Sequence, residues 1–226
     1  MPIELLIFLT VFTPALVGGL NLFFSKNPNV RDTVTLLGAL LTFYFSANIF
    51  LGFDGQATQY RLATIMPGID ISFHIEPLGI IFSLLASGLW ILTHIYAIGY
   101  MRGAKEKNHS RFFFFFSVSI ASVMGISFSG NLFTLFLFYE ILTLITFPLV
   151  SHKGSNEALR GARVYLSILL GTSIGLQLLG IIWIYFSVGT LDFVKGGILN
   201  GSFGSLELTL PVSYTHLRAH ETDRYL

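Results

Sequence analysis

Residues 131–151 read NLFTLFLFYEILTLITFPLVS, an apolar run in which Glu140 is the single charge. A bilayer core about 30 Å thick needs about 20 apolar residues of helix, so this run reads as a transmembrane helix. Working outward, five further windows nearly free of charge fall at about 3–24, 33–53, 77–101, 112–129 and 164–188. None carries a polar face opposite its apolar one, which argues against buried helices of a soluble protein. The chain of 226 residues is 53% hydrophobic and 11% charged, whereas soluble domains carry roughly 25% charged residues. The reading is an all-α integral membrane protein with six transmembrane helices.

Charge placement orients it. Lys26, Arg31, Arg102, Lys105, Lys107, Arg111, Lys153, Arg160 and Arg163 follow the first, third and fifth helices, whereas the opposite loops hold only Arg61 and Lys195. Basic residues concentrate in cytoplasmic loops, which puts the N-terminus outside. The opening MPIELL has no basic segment and no cleavage site after it, so the first helix reads as a retained span and not as a signal peptide. On the outer side, Ile69, Ile71, Phe73 and Ile75 alternate with Asp70, Ser72, His74 and Glu76, the period of a half-buried strand. Met66-Pro67-Gly68-Ile69 fits a type II turn, and a short β-hairpin over about 58–76 is predicted to cap the outer face.

The net charge of +1 excludes electrostatically driven nucleic-acid binding. The absence of cysteine removes disulfides, thiolate nucleophiles and cysteine-held metals. No phosphate loop, dinucleotide fingerprint or His-Glu-x-x-His occurs, so no cofactor, metal site or autonomous catalytic centre is expected.

Glu140 is the exception among the acids. A charge at a helix centre costs about 2.5–3.5 kcal/mol on insertion scales, which makes an intramembrane glutamate a candidate functional group. Desolvation and a neighbouring cation would pull its proton affinity in opposite directions, as a proton relay needs. A protonated glutamate bonding a neighbouring helix is the structural alternative. Thr143 is the one polar residue sharing its face with Phe133, Phe136, Leu137, Leu144 and Phe147. Pro148 frees the Leu144 carbonyl and is the expected site of a kink. His94, in the inner third of the third helix, is a second candidate proton carrier, and Gln177 is polar and ambiguous. Ser117, Ala121 and Gly125, and likewise Ser167, Gly171 and Gly175, form small-residue stripes suited to close helix packing. The Phe112 to Phe116 run reads as a bulky start to the fourth helix.

Residues 212–226, from VSYTHLRAHET onward, are abruptly hydrophilic and resemble a translated sequencing adapter. The expectation is that they are foreign, that the natural chain continues past Pro211, and that His216 and His220 carry no function.

The motifs IEPLG at 75–79, LTHIYAIGYMR at 92–102, SRFF at 110–113 and NLF at 131–133 leading to FYE at 138–140 resemble the antiporter-like membrane subunits. These are the large proton-translocating subunits of respiratory complex I and the Mrp-type cation/proton antiporters. The stretch YEILT at 139–143, with PLV and HKG after it, is similar to the D-like branch of the antiporters' large subunits. The resemblance implies a fold of about fourteen helices with two inverted repeats, of which this chain would hold the first six helices. It also implies that Glu140 pairs with a lysine on a broken seventh helix, beyond Pro211. Complex I members can carry an acid in the sixth helix; residues 164–188 have none.

The expectation is therefore a proton-translocating subunit of a monovalent cation/proton antiporter or complex I-like NADH-quinone oxidoreductase. Its partners would be other membrane subunits, the lipid bilayer and protons, with sodium or potassium left open, and its place a prokaryotic inner membrane. The alternative is a non-transporting scaffold that packs redox or carrier subunits.

Overall fold

A computed structural model describes residues 2–194, apart from Ala57, Lys105 and Lys107, together with Ile198. The 212–226 tail, with His216 and His220, and Lys195 lie outside the described residues. The elements run α1 (Ile3–Phe23), α2 (Pro28–Gly52), β1 (Thr58–Met66), β2 (Ile69–Ile75), α3 (Pro77–Gly103), α4 (His109–Ser127) and α5 (Leu132–Val150). They are followed by α6 (Asn156–Thr172), a π turn (Ser173–Leu178) and α7 (Leu179–Val188). The last three form one rod, Asn156–Val188, so among the described residues six helices are long and apolar enough to cross a membrane. The molecule is an all-α membrane fold with a two-stranded antiparallel sheet.

Three of the helices begin before their charge-poor windows. α2 begins at Pro28 instead of 33, α4 at His109 instead of 112, and the last rod at Asn156 instead of 164. Charges at the end of an apolar run do not stop a helix, because long basic side chains reach the headgroup level from helical positions. Local chemistry sets the starts. Pro28 and Pro77 take the first helical position, where a missing N–H costs nothing. The side chains of Asn131 and Ser155 accept from the amides of Thr134 and Ala158, at 2.7 and 3.1 Å, and cap α5 and α6.

α4 is central, packing against α1, α3 and α5, while α2 bridges α1 and α3. Its small-residue stripe makes this possible. A Cβ on Gly125 would lie 2.3 Å from Phe138 of α5, and one on Gly18 of α1 would lie 3.1 Å from Ser117. Among the described residues the similar stripe on the last rod has no such contact: Cβ atoms on Gly171 and Gly175 would meet nothing within 4 Å. The two stripes, alike in sequence, differ in use.

The hairpin forms as the alternation suggests, with Thr58 opposite Ile75 and Met66 opposite Ile69. Gly68 adopts φ +81°, the conformation that a type II turn requires at its third residue. Phe73 and Ile75 enter a core with Ile7, Val11, Ile49, Ile80, Met124, Phe128 and Phe138. Strict alternation fails at Ser72, which is buried because the α4–α5 connection runs along this strand. Gly130 N donates to Ser72 O at 2.8 Å, and His74 N donates to Phe128 O at 2.7 Å. Asn131 Nδ2 donates to Asp70 O and Ser72 Oγ, and Ser72 N donates to Thr134 Oγ1. The hairpin is thus fastened to the start of α5, the helix that carries Glu140.

Candidate functional site

Glu140 stands in the middle of α5, half-buried, on a helix with no other charged residue. Its Oε1 is shielded from solvent and has no hydrogen-bond partner among the described residues. A buried polar atom left unpaired costs about 1–3 kcal/mol, so the fold alone does not reward this placement. Thr143 is buried on the same helix, and its carbonyl accepts from Thr146 Oγ1 at 2.7 Å. α5 continues through Pro148 to Val150 without a break in the helix. The π turn of the last rod packs against α5 and holds Gln177, whose Oε1 is likewise buried and without a hydrogen-bond partner among the described residues. A π turn widens a helix by one residue and is often found at functional positions.

His94 is fully buried on α3. Its Nε2 lies 3.3 Å from the carbonyl oxygen of Asp32, and its ring stands edge-on to Phe113 at 4.9 Å. A carbonyl can only accept, which assigns the proton to Nε2 and leaves Nδ1 as a bare acceptor. Nδ1 has no partner among the described residues. α4 packs against both α3 and α5. His94 faces α2 and α4, so the structure does not join it to Glu140 in one cluster.

What it joins to His94 is a charge cluster that sequence reading missed. Asp32 is buried, and Arg31 Nε donates to its Oδ1 at 2.8 Å. Arg102 donates to Oδ2 from Nε at 3.1 Å and from Nη2 at 2.5 Å, and reaches Asn29 Oδ1 at 3.0 Å. Arg31 lies over the Phe113 ring at 5.2 Å, on the same aromatic residue that meets His94. Arg31 and Arg102, counted by sequence among the loop bases, are residues of α2 and α3. The signal for the cluster was the Arg31-Asp32 pair itself, an acid within a basic segment.

Two family models match this chain. Residues 66–113 match "NADH-Ubiquinone oxidoreductase (complex I), chain 5 N-terminus", and residues 129–210 match "NADH:quinone oxidoreductase/Mrp antiporter, TM". The chain belongs to this family of antiporter and complex I membrane subunits. Among the family's members, the chloroplastic NAD(P)H-quinone oxidoreductase subunit 5 of Ipomoea purpurea is 28% identical over 90% of the chain and 30% of its own length. A Na(+)/H(+) antiporter subunit of Alkalihalophilus pseudofirmus is 25% identical over 90% of the chain and 40% of its own length. Another Na(+)/H(+) antiporter subunit, from Staphylococcus aureus, is 31% identical over 50% of the chain and 14% of its own length. The chain thus spans well under half the length of these curated relatives. A chain of the membrane-bound sulfane sulfur reductase, an archaeal respiratory membrane complex, superposes with a TM-score of 0.69 over 82% of the chain and 28% of that chain. At 19% identity this likeness speaks for the fold alone.

Proposed function

We propose that the protein is a proton-translocating membrane subunit of a monovalent cation/proton antiporter or complex I-like assembly, and that Glu140 is its proton-holding group. The observation that supports this is the shielded, unpaired Oε1 of Glu140 at the centre of an otherwise uncharged α5. A carboxyl group there binds a proton when the site is apolar and releases it when a cation approaches. Family membership supports the class of activity, and Thr143, Pro148 and His94 are assigned supporting places. Thr143 stands one turn from Glu140 on the same helix, the Leu144 carbonyl freed by Pro148 can accept from water or a side chain, and Nδ1 of His94 can take up a proton. The assembly sits in a prokaryotic inner membrane with the N-terminus outside, and its partners are further membrane subunits.

The test is Glu140→Gln in the protein within its native membrane assembly, assayed for respiration- or sodium-driven proton movement in membrane vesicles. The amide keeps the size and polarity but holds no titratable proton. Proton coupling is expected to fall by at least about tenfold, with assembly intact, on the scale of a lost proton-transfer group. Wild-type coupling would overturn the assignment and favour the scaffold reading.

A further inference from the structure

At the basic-loop end of the bundle a cavity of about 400 Å³ is lined by Ser25, Arg31, Asn108, His109, Ser110 and Arg111. Every one of these side chains is polar, and no acid lines it among the described residues. The cavity lies where α1 ends and where α2 and α4 begin, the level at which the chain leaves the apolar layer.

Three independent features converge on one ligand chemistry. Arg31 is buried and held by Asp32 on one side, while among the described residues its Nη1 has only a 3.5 Å contact to Ser110 Oγ. Arg111, by contrast, is exposed and makes no ion pair among the described residues. The first turn of α4 begins after Asn108 at φ +58° without a side-chain cap, so its leading N–H groups remain available as donors. Two guanidinium groups, hydroxyl donors and an uncapped helix start suit a tetrahedral, negatively charged oxygen ligand.

We propose that this cavity binds a phosphate group, supplied by the headgroup of an anionic phospholipid. Its position at the interfacial ends of three helices favours the lipid over a free ion. Arg31 would supply a fixed charge, preset by Asp32, and Arg111 a mobile one that closes over the phosphate. The proposal does not depend on the proton-transfer reading, because Glu140 has no part in it.

The test uses the purified protein in lipid nanodiscs and in detergent. It measures retention of phosphatidylglycerol and phosphatidylcholine by native mass spectrometry, with inorganic phosphate as competitor. Phosphatidylglycerol should be retained about fivefold more than phosphatidylcholine, and Arg111→Gln should remove most of that preference, as expected for one basic residue at an anionic surface. Because Arg111 is exposed, this variant is expected to fold, and an unchanged thermal transition checks that it has. Displacement of the lipid by millimolar phosphate, with the same sensitivity to Arg111→Gln, would keep the phosphate site but reassign its source to the free ion. Equal retention of both lipids without a phosphate effect, or a preference that survives Arg111→Gln, overturns the proposal.

Discussion

Two acids are shielded inside this helical bundle, and they are treated in opposite ways. Asp32 has Arg31 on one oxygen and Arg102 on the other, with hydrogen bonds from both guanidinium groups. Glu140 has an oxygen that nothing among the described residues touches by hydrogen bond. A charge taken out of water is tolerated when partners compensate it. Asp32 therefore reads as a structural acid whose paired carboxylate ties α2 to α3. Glu140 is the acid left without a hydrogen-bonded partner among the described residues, which is why the proton-carrier proposal falls on it.

This contrast breaks or holds on stability. Asp32→Ala leaves Arg31 buried without its counter-ion, and the expected loss is about 3–5 kcal/mol. It should show as a large drop in the thermal transition of the purified protein, or as failure to accumulate in the membrane. Glu140→Gln should move the same transition by less than about 1 kcal/mol, because no partner is lost. If the two substitutions cost the same, the distinction between a paired and an unpaired acid is wrong.

A second contrast is between glycines. A Cβ on Gly79 of α3 would lie 2.1 Å from the Ser127 carbonyl oxygen, a backbone atom at the end of α4, while one on Gly171 meets nothing within 4 Å. Gly79→Ala should destabilise by about 1–3 kcal/mol through forced displacement of α3 from α4. Gly171→Ala should be neutral or stabilising by up to about 1 kcal/mol, the gain in helix propensity. Thermal unfolding of the two variants side by side decides it.

These comparisons also mark what can be read from the sequence. The six spans and the hairpin were legible because each rests on a local signal: an unbroken apolar run, or a period of two ending in Pro67-Gly68. Glu140 was legible because it is a charge at the centre of an apolar run, whereas the other charges of the spans lie near their ends. The Asp32 cluster was not, since its meaning lies in Arg102, seventy positions away in sequence on another helix. The last rod starts eight residues before its apolar window, because the Ser155 cap, rather than hydropathy, starts the helix. Nor could spacing tell which small-residue stripe is covered, for that depends on which helix lies opposite.

Asn131 tests whether the outer hairpin steadies the helix of Glu140. Its Oδ1 caps α5 and its Nδ2 holds the Asp70 carbonyl and Ser72 Oγ. Asn131→Ala removes both functions and should cost about 1–2 kcal/mol, the upper part of the range for a helix cap. Asn131→Asp keeps the cap acceptor and loses the donor, so hydrogen exchange at the hairpin amides should rise in both variants and at the first turn of α5 only in the alanine variant.

The smallest effect belongs to the ion pair on the hairpin. Arg61 Nε stands 2.7 Å from Asp70 Oδ2, as close as the pairs around Asp32, yet its side chain is 66% exposed. If distance governed the worth of an ion pair, Arg61→Ala would rival Asp32→Ala. Solvent screening and the freedom of an exposed arginine argue instead for a loss of about 1 kcal/mol or less. The loss should shrink further as salt is raised, because the Debye length falls to about 3 Å at molar salt. The Asp32 cluster, shielded by three helices, should keep its contribution under the same conditions. Thermal transitions of the two variants at low and high salt separate burial from proximity as the cause, and an equal salt response would refute burial.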